Sequence, residues 1–130
     1  MTEREGAGQA QRILFLDDSE ERTIAMQKVY PEAVCVQTAA ECIEKLSADV
    51  WHVLCLDHDL GGEVFVDSGR PDCGMEVVRW MVRNRPIVGR VIVHTWNEPA
   101  GRRMVDELRR KSYAAIFAPF ATPEWGGVRP

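Results

Sequence analysis

The stretch VLCLDHDLGG, residues 53–62, decides the fold. Its apolar run lacks the alternation of a half-exposed strand and suits one covered on both faces, as in a parallel sheet flanked by helices. The run breaks off at Asp57-His58-Asp59, ahead of Leu60 and two glycines that read as a turn. Polar groups crowded beyond the carboxyl end of a buried strand lie where open α/β sheets build their sites.

Outward from this segment the pattern repeats. Ile13-Leu14-Phe15-Leu16 is a first strand ending at Asp17-Asp18, and Ser19-Glu20-Glu21 predicts a capped helix with acids in its first turn, continuing to about Tyr30 before Pro31. A second strand is expected over Ala33 to Gln37. Thr38-Ala39-Ala40-Glu41 has the spacing of a capping box, opening a helix whose apolar face carries Cys42, Ile43 and Leu46. The third strand is expected over Val50 to Leu56. A helix over Gly74 to Asn84 follows, then a strand over Val91 to Val93 ending in His94-Thr95-Trp96-Asn97. Asn97 is placed to cap a helix that tolerates Pro99 in its first turn and runs to about Lys111, and Ala114 to Ala118 is the last strand. The order βαβαβαβαβ predicts a single α/β domain over residues 12–120. Its fold is a doubly wound parallel five-stranded sheet, order 2-1-3-4-5, with helices on both faces. Residues 1–11 read as a flexible leader and 121–130 as a C-terminal tail.

A chain of 130 residues suits one domain. A formal charge of -4 argues against bulk electrostatic DNA binding, which needs many cations against phosphates. The run Arg102, Arg103, Arg109, Arg110 and Lys111 reads instead as a solvated helix face. No apolar run is long enough to span a bilayer and the N-terminus has no signal-peptide core, so no membrane partner and a cytoplasmic location are expected. Cys35, Cys42, Cys55 and Cys73 lack CxxC spacing and read as reduced core thiols.

Three strand ends therefore meet at one sheet edge: Asp17 and Asp18 from the first, Asp57, His58 and Asp59 from the third, His94, Thr95 and Asn97 from the fourth. Alternation places Asp57 and Asp59 on one side and His58 opposite. Clustered carboxylates raise one another's pKa unless a cation intervenes, and a hard divalent ion resolves the conflict. Mg2+ suits Asp17, Asp18, Asp57 and Asp59; nearby histidines favour Mn2+, or else serve in proton transfer. Asn97 has two readings, helix cap or site residue. The long connection 60–72 is expected to act as a binding loop or lid, with Arg70 reaching an anion.

ILFLDD, LCLDHDL, VHTWN and FAPF together make residues 12–120 resemble the receiver domain of response regulators. The resemblance implies that Asp17, Asp18 and Asp57 hold Mg2+, with Asp57 as phospho-acceptor and Thr95 as the switch hydroxyl. Ala118 stands where receivers carry a Lys before the proline. With GMEVVRWM at 74–81 added, the signature resembles a divergent branch, the cyclic-phosphate processing receiver domains. That implies a metal-dependent phosphoesterase acting on a cyclic phosphate, carried by a phosphate-bearing small molecule or an RNA end. In this reading His58, His94 and Asp57 are catalytic, with the histidines as general acid and base, Asp59 orients a histidine, and Thr95, Asn97 and Arg70 bind substrate. The alternatives are a stand-alone receiver phosphorylated on Asp57, and a non-catalytic pseudo-receiver that binds a protein or nucleotide.

Overall fold

The computed structural model describes residues 11–63 and 65–120; the expected tail and all of the expected leader but Gln11 lie outside them. Its elements follow the alternation expected: β1 Ile13–Leu16, α1 Glu20–Val29, β2 Val34–Val36, α2 Ala39–Ala48, β3 Trp51–Leu56, α3 Gly74–Asn84, β4 Val88–Val93, α4 Glu98–Arg110 and β5 Ala115–Phe117. The strands form one sheet in the order β2-β1-β3-β4-β5, and every neighbouring pair is parallel. β1 and β3 lie side by side with Leu16 opposite Leu56, so Asp17 and Asp57 leave the sheet at the same level. β3 pairs with β4 through Leu56 and Val93, which brings His94 to that level too.

The helix starts are built as the sequence predicts. The Ser19 side chain accepts a hydrogen bond from the Arg22 amide, Thr38 and Glu41 form a complete capping box, and Asn97 accepts from the Ala100 amide with Pro99 in the first turn. Two strands are shorter than expected at both ends. β4 is longer, starting at Val88, because Gly89 and Arg90 interrupt the apolar run without interrupting the ladder to β3.

Strand residues alternate between two cores. Leu14, Leu16, Leu54, Leu56, Val91 and Val93 pack against α2, α3 and α4 in the larger core. Ile13, Phe15, Val53, Cys55 and Ile92 face the opposite side, with Met26 of α1 among them. All four cysteines are free, three of them buried. Among the described residues no helix is long and apolar enough to cross a membrane.

One contact fixes the site's floor. The first residue of α3 lies against the end of β3: the Gly74 amide donates to the His58 carbonyl at 2.9 Å. A Cβ at Gly74 would stand 1.9 Å from the Asp57 carbonyl oxygen, so only glycine allows this approach.

Candidate functional site

The strand ends open into a cleft of about 370 Å³ lined by Asp18, Ser19, Arg22, Asp57, Asp59, Gly62, Glu63, His94, Thr95 and Trp96. Asp57 and His94 of this lining, with Asp17 buried behind them, each present one possible ligand atom, all within 4.8 Å of one another. Asp17 is fully buried, Asp57 5% and His94 1% exposed, so charge gathered here is poorly screened.

Asp17 is the most heavily bonded of the three. Arg22, one turn into α1, donates Nε to its Oδ2 at 2.7 Å and Nη2 to its Oδ1 at 2.9 Å. The Ser19 amide adds a bond at 2.8 Å, and His94 Nε2 lies 3.0 Å from Oδ2. Burial works against ionisation, but the His94 and Arg22 bonds outweigh it and hold the carboxyl down at about 2. Asp57 lacks such support: Arg22 Nη2 is 3.7 Å away and the His58 amide donates one bond at 2.9 Å. Burial, with the Asp17 charge adding to it, pushes Asp57 up to about 6. The imidazole of His94 stacks on Phe15, centroids 4.8 Å apart and planes 7° from parallel, which fixes its ring beside the two acids.

The second acid of each pair is engaged elsewhere. Asp18 lines the cleft and accepts from the Gly62 amide, tying β1 to the turn where Gly61 and Gly62 adopt positive φ of 75° and 79°. Asp59 takes four bonds on its two oxygens: from His58 Nδ1 at 2.8 Å, the amides of Phe65 and Val66 at 2.9 Å each, and Asn97 Nδ2 at 3.2 Å. Burial opposes these bonds, yet they lower its pKa below the usual carboxylate range. Neither Asp18 nor Asp59 joins the three-atom cluster, which contains His94 in their place.

His58 is fully buried and is not among the residues lining the cleft. Its Nδ1 meets Asp59 and its Nε2 lies 2.9 Å from Ser68 Oγ, so both ring nitrogens are used within the fold. Burial disfavours the imidazolium, but contacts with Cys73 and Asp59 prevail and raise its pKa. Asn97 unites its two readings, with Oδ1 capping α4 and Nδ2 bonding Asp59. Thr95 lines the cleft and accepts from the Asn97 amide. Arg70 lies outside the cleft lining: its guanidinium pairs with Asp72 at 2.7 Å and Glu63 at 2.8 Å. The connection to α3 is anchored through Asp59 and through Arg79, which donates to the carbonyls of Ser68 and Arg70.

Arg22 is the residue that sequence reasoning missed. Its signal was the serine cap: a cap at Ser19 turns the chain so that a side chain three residues on lies back over the acid before the cap. Among the residues lining the cleft it is the one arginine or lysine.

Comparison with known proteins agrees with this geometry. The profile of a family described as "Cyclic-phosphate processing Receiver domain" matches residues 12–110. A search of the curated proteins finds no match. Among solved structures, a CheY-like response-regulator receiver domain from Methanospirillum hungatei is similar at 14% identity and TM-score 0.63, covering 88% of this chain and 84% of that one. The response regulator TrrA from Thermotoga maritima, in complex with Mg2+-BeF, is similar at 15% identity and TM-score 0.61, covering 91% and 95%. A Burkholderia pseudomallei response regulator with a phosphorylated aspartate, calcium ion and citrate is similar at 14% identity and TM-score 0.60, covering 89% and 64%. At these identities the solved structures establish the receiver fold alone.

Proposed function

Since this chain belongs to the family of cyclic-phosphate processing receiver domains, we propose that it is a metal-dependent phosphoesterase that opens a cyclic phosphate on a nucleotide or RNA end. The observation that carries the reading is the buried cluster of Asp17, Asp57 and His94, their ligand atoms within 4.8 Å, with the Arg22 guanidinium against the same acids. A phosphorylation switch needs the acids but gives a buried imidazole at their centre no task.

The donor set fits a divalent ion. Two carboxylates and an imidazole are chemically suited to Mn2+, and the carboxylates alone to Mg2+ with waters completing its shell. An Asp57 carboxyl raised to about 6 by burial is a group whose ionised form needs a cation. Asp17, Asp57 and His94 would hold the ion, which when bound polarises a phosphate oxygen and offsets charge developing in the transition state. The Mg2+-BeF complex of the Thermotoga regulator and the calcium ion of the Burkholderia regulator support a divalent ion in this fold.

The remaining work falls to the chain's own groups. Arg22, 36% exposed at its side chain, reaches the cleft from α1 and supplies a cation for the phosphate, standing in for the Lys that receivers place where this chain has Ala118. His94, held against Phe15, presents Nε2 to the acids as the imidazole ligand of that site. His58 acts through Asp59, which it orients, and Asp59 in turn sets the Asn97 amide and the wall of the 60–72 loop. Thr95 is part of the cleft wall, and its hydroxyl is a further candidate donor to the phosphate.

Incubation with Mn2+ or Mg2+ and a 2',3'-cyclic nucleotide tests the reading. Release of a nucleoside monophosphate that is lost in Asp57→Asn and in His94→Ala supports it; a wild-type protein no faster than either variant overturns it. The second reading, a stand-alone receiver, is favoured by the Asp57 carboxyl facing the cleft beside Thr95. Under that reading a small phosphodonor with Mg2+ adds one phosphoryl group to Asp57 by intact mass, and cyclic nucleotides stay intact.

A further inference from the structure

The cleft that receives the phosphate carries one large apolar feature, and charge chemistry gives it no role. Trp96 lines the cleft yet is 63% exposed, whereas its neighbours Thr95 and Asn97 are 2% and 8% exposed. Leaving an indole in water forgoes the free energy that burying a large apolar side chain returns. Its mount is rigid: the Asn97 amide bonds Thr95 Oγ1 at 3.1 Å, and the Asn97 side chain both caps α4 and bonds Asp59. A side chain with two rotatable bonds on such a mount loses little entropy when something stacks on it.

A second aromatic stands on the loop bordering the same cleft. Phe65 is 75% exposed with φ of 52°, a left-handed backbone that a residue with a Cβ adopts at a cost. The bond from its amide to Asp59 maintains that conformation. Strained backbone tied to a site residue, presenting an aromatic to solvent, is the pattern of a ligand contact rather than of packing.

We propose that Trp96 is a stacking platform for a nucleobase, so that the phosphate taken by this cleft is that of a nucleoside. The proposal rests on the phosphoesterase reading for the position of the phosphate. An alkyl or sugar cyclic phosphate would fill the charged part of the cleft and leave the indole bare; a base beside the phosphate covers it. Base–aromatic stacking contributes about 1 to 3 kcal/mol and tolerates any base, because every base has a π face. The platform therefore separates substrates with a base from those without one, and does little to tell one base from another.

The test compares the affinities of adenosine 3'-monophosphate and glycerol 3-phosphate, measured by calorimetry with Mn2+ present, in wild type, Trp96→Ala and Trp96→Phe. Neither ligand reacts, so binding is read apart from turnover. The expected result is a wild-type preference for the nucleotide that shrinks about 5- to 150-fold in Trp96→Ala, the factor matching the stacking range, with most of it kept in Trp96→Phe. A preference unchanged in Trp96→Ala overturns the platform, as does a wild type that binds both ligands alike or binds neither. Loss of the preference in Trp96→Ala, in a protein that opens no cyclic phosphate, keeps the platform and removes the phosphoesterase reading. Turnover of cyclic nucleotides with a preference indifferent to Trp96 does the reverse. Thermal unfolding of Trp96→Ala close to wild type, as an exposed position predicts, excludes a folding defect as the cause.

Discussion

Replacing Asp57 by Asn should stabilise the metal-free protein at neutral pH. The carboxyl is 5% exposed and its pKa is raised from 3.8 to about 6, chiefly by burial. A raised acid binds its proton more tightly in the folded state, so it costs stability wherever the unfolded chain has already ionised. Well below 3.8 both states hold the proton and the cost vanishes. It grows as pH rises through the window between 3.8 and about 6, and is complete by pH 7. A shift of about two units at 1.36 kcal/mol each gives about 3 kcal/mol. Asn has nearly the same shape and keeps an acceptor for the His58 amide, which now bonds Asp57 Oδ1 at 2.9 Å. For a chain of this size the gain corresponds to a melting temperature roughly 10 °C higher. Thermal unfolding in chelator at pH 4 and pH 7.5 reads it directly: the two proteins should lie close together at the lower pH and separate clearly at the higher. Saturating divalent ion should then close the gap from the wild-type side, since about 100-fold excess over Kd contributes roughly 2.7 kcal/mol to the state that binds it. An Asp57→Asn protein less stable than wild type at pH 7.5 in chelator, or a difference equal at both pH values, would refute the reasoning.

Four further outcomes follow from the same geometry. Gly74→Ala drives a Cβ to 1.9 Å from the Asp57 carbonyl, backbone against backbone, so overpacking of about 1 to 3 kcal/mol is expected by chemical denaturation, with divalent-ion affinity falling alongside. Arg22→Gln removes two charge-assisted bonds from buried Asp17; a carboxyl lowered to about 2 stabilises the fold above 3.8 and loses that contribution as pH falls, so the variant should reach its acid-unfolding midpoint at higher pH. The same variant should bind inorganic phosphate at least about tenfold more weakly in calorimetry, the cost of one such contact being about 1.4 kcal/mol or more. His58 has a raised pKa, so its pairing with Asp59 contributes fully below about 6.5 and fades as pH rises through the higher folded value; the protection factor of the Val66 amide against hydrogen exchange should fall over that rise, and a pH-independent protection factor would count against it.

The fold was legible because continuous apolar runs mark buried parallel strands, and because Ser19, Thr38 and Asn97 each announce a helix with the chemistry of its cap. β4 was harder: Gly89 and Arg90 hide three ladder residues from a reading based on hydrophobicity. At the site, acids at strand ends could be placed by topology alone, whereas the bond between His58 and Asp59, neighbours that strand alternation would set on opposite sides, could not. What topology could not give was allocation. Asp59 faces the cleft with Asp57, yet the loop amides that saturate it come from six and seven residues onward, through a turn no periodicity describes. Arg70 had Glu63 and Asp72 as close competitors within its own loop, and they take it. Arg22 resembled any solvated helix arginine until its distance to Asp17 was known.

The central acids are in conflict, and the architecture keeps them so. Asp57 could escape its raised pKa by moving toward water, but the carbonyl of its own residue is wedged against Gly74, and its side chain accepts from the next amide. Asp17 cannot yield either, because Arg22, His94 and the Ser19 amide all hold it in its ionised form. Two exits remain: a proton on Asp57, available below about pH 6, or a cation between the carboxylates. Arg22 is a partial answer, bidentate to Asp17 but 3.7 Å from Asp57, close enough to mute the repulsion and too far to cancel it. A divalent ion is the complete one, and its arrival would free the guanidinium to turn to a phosphate at the mouth of the cleft. The instability stored at Asp57 and the cation it calls for are therefore one design, with helix α3 as the clamp that prevents its relaxation.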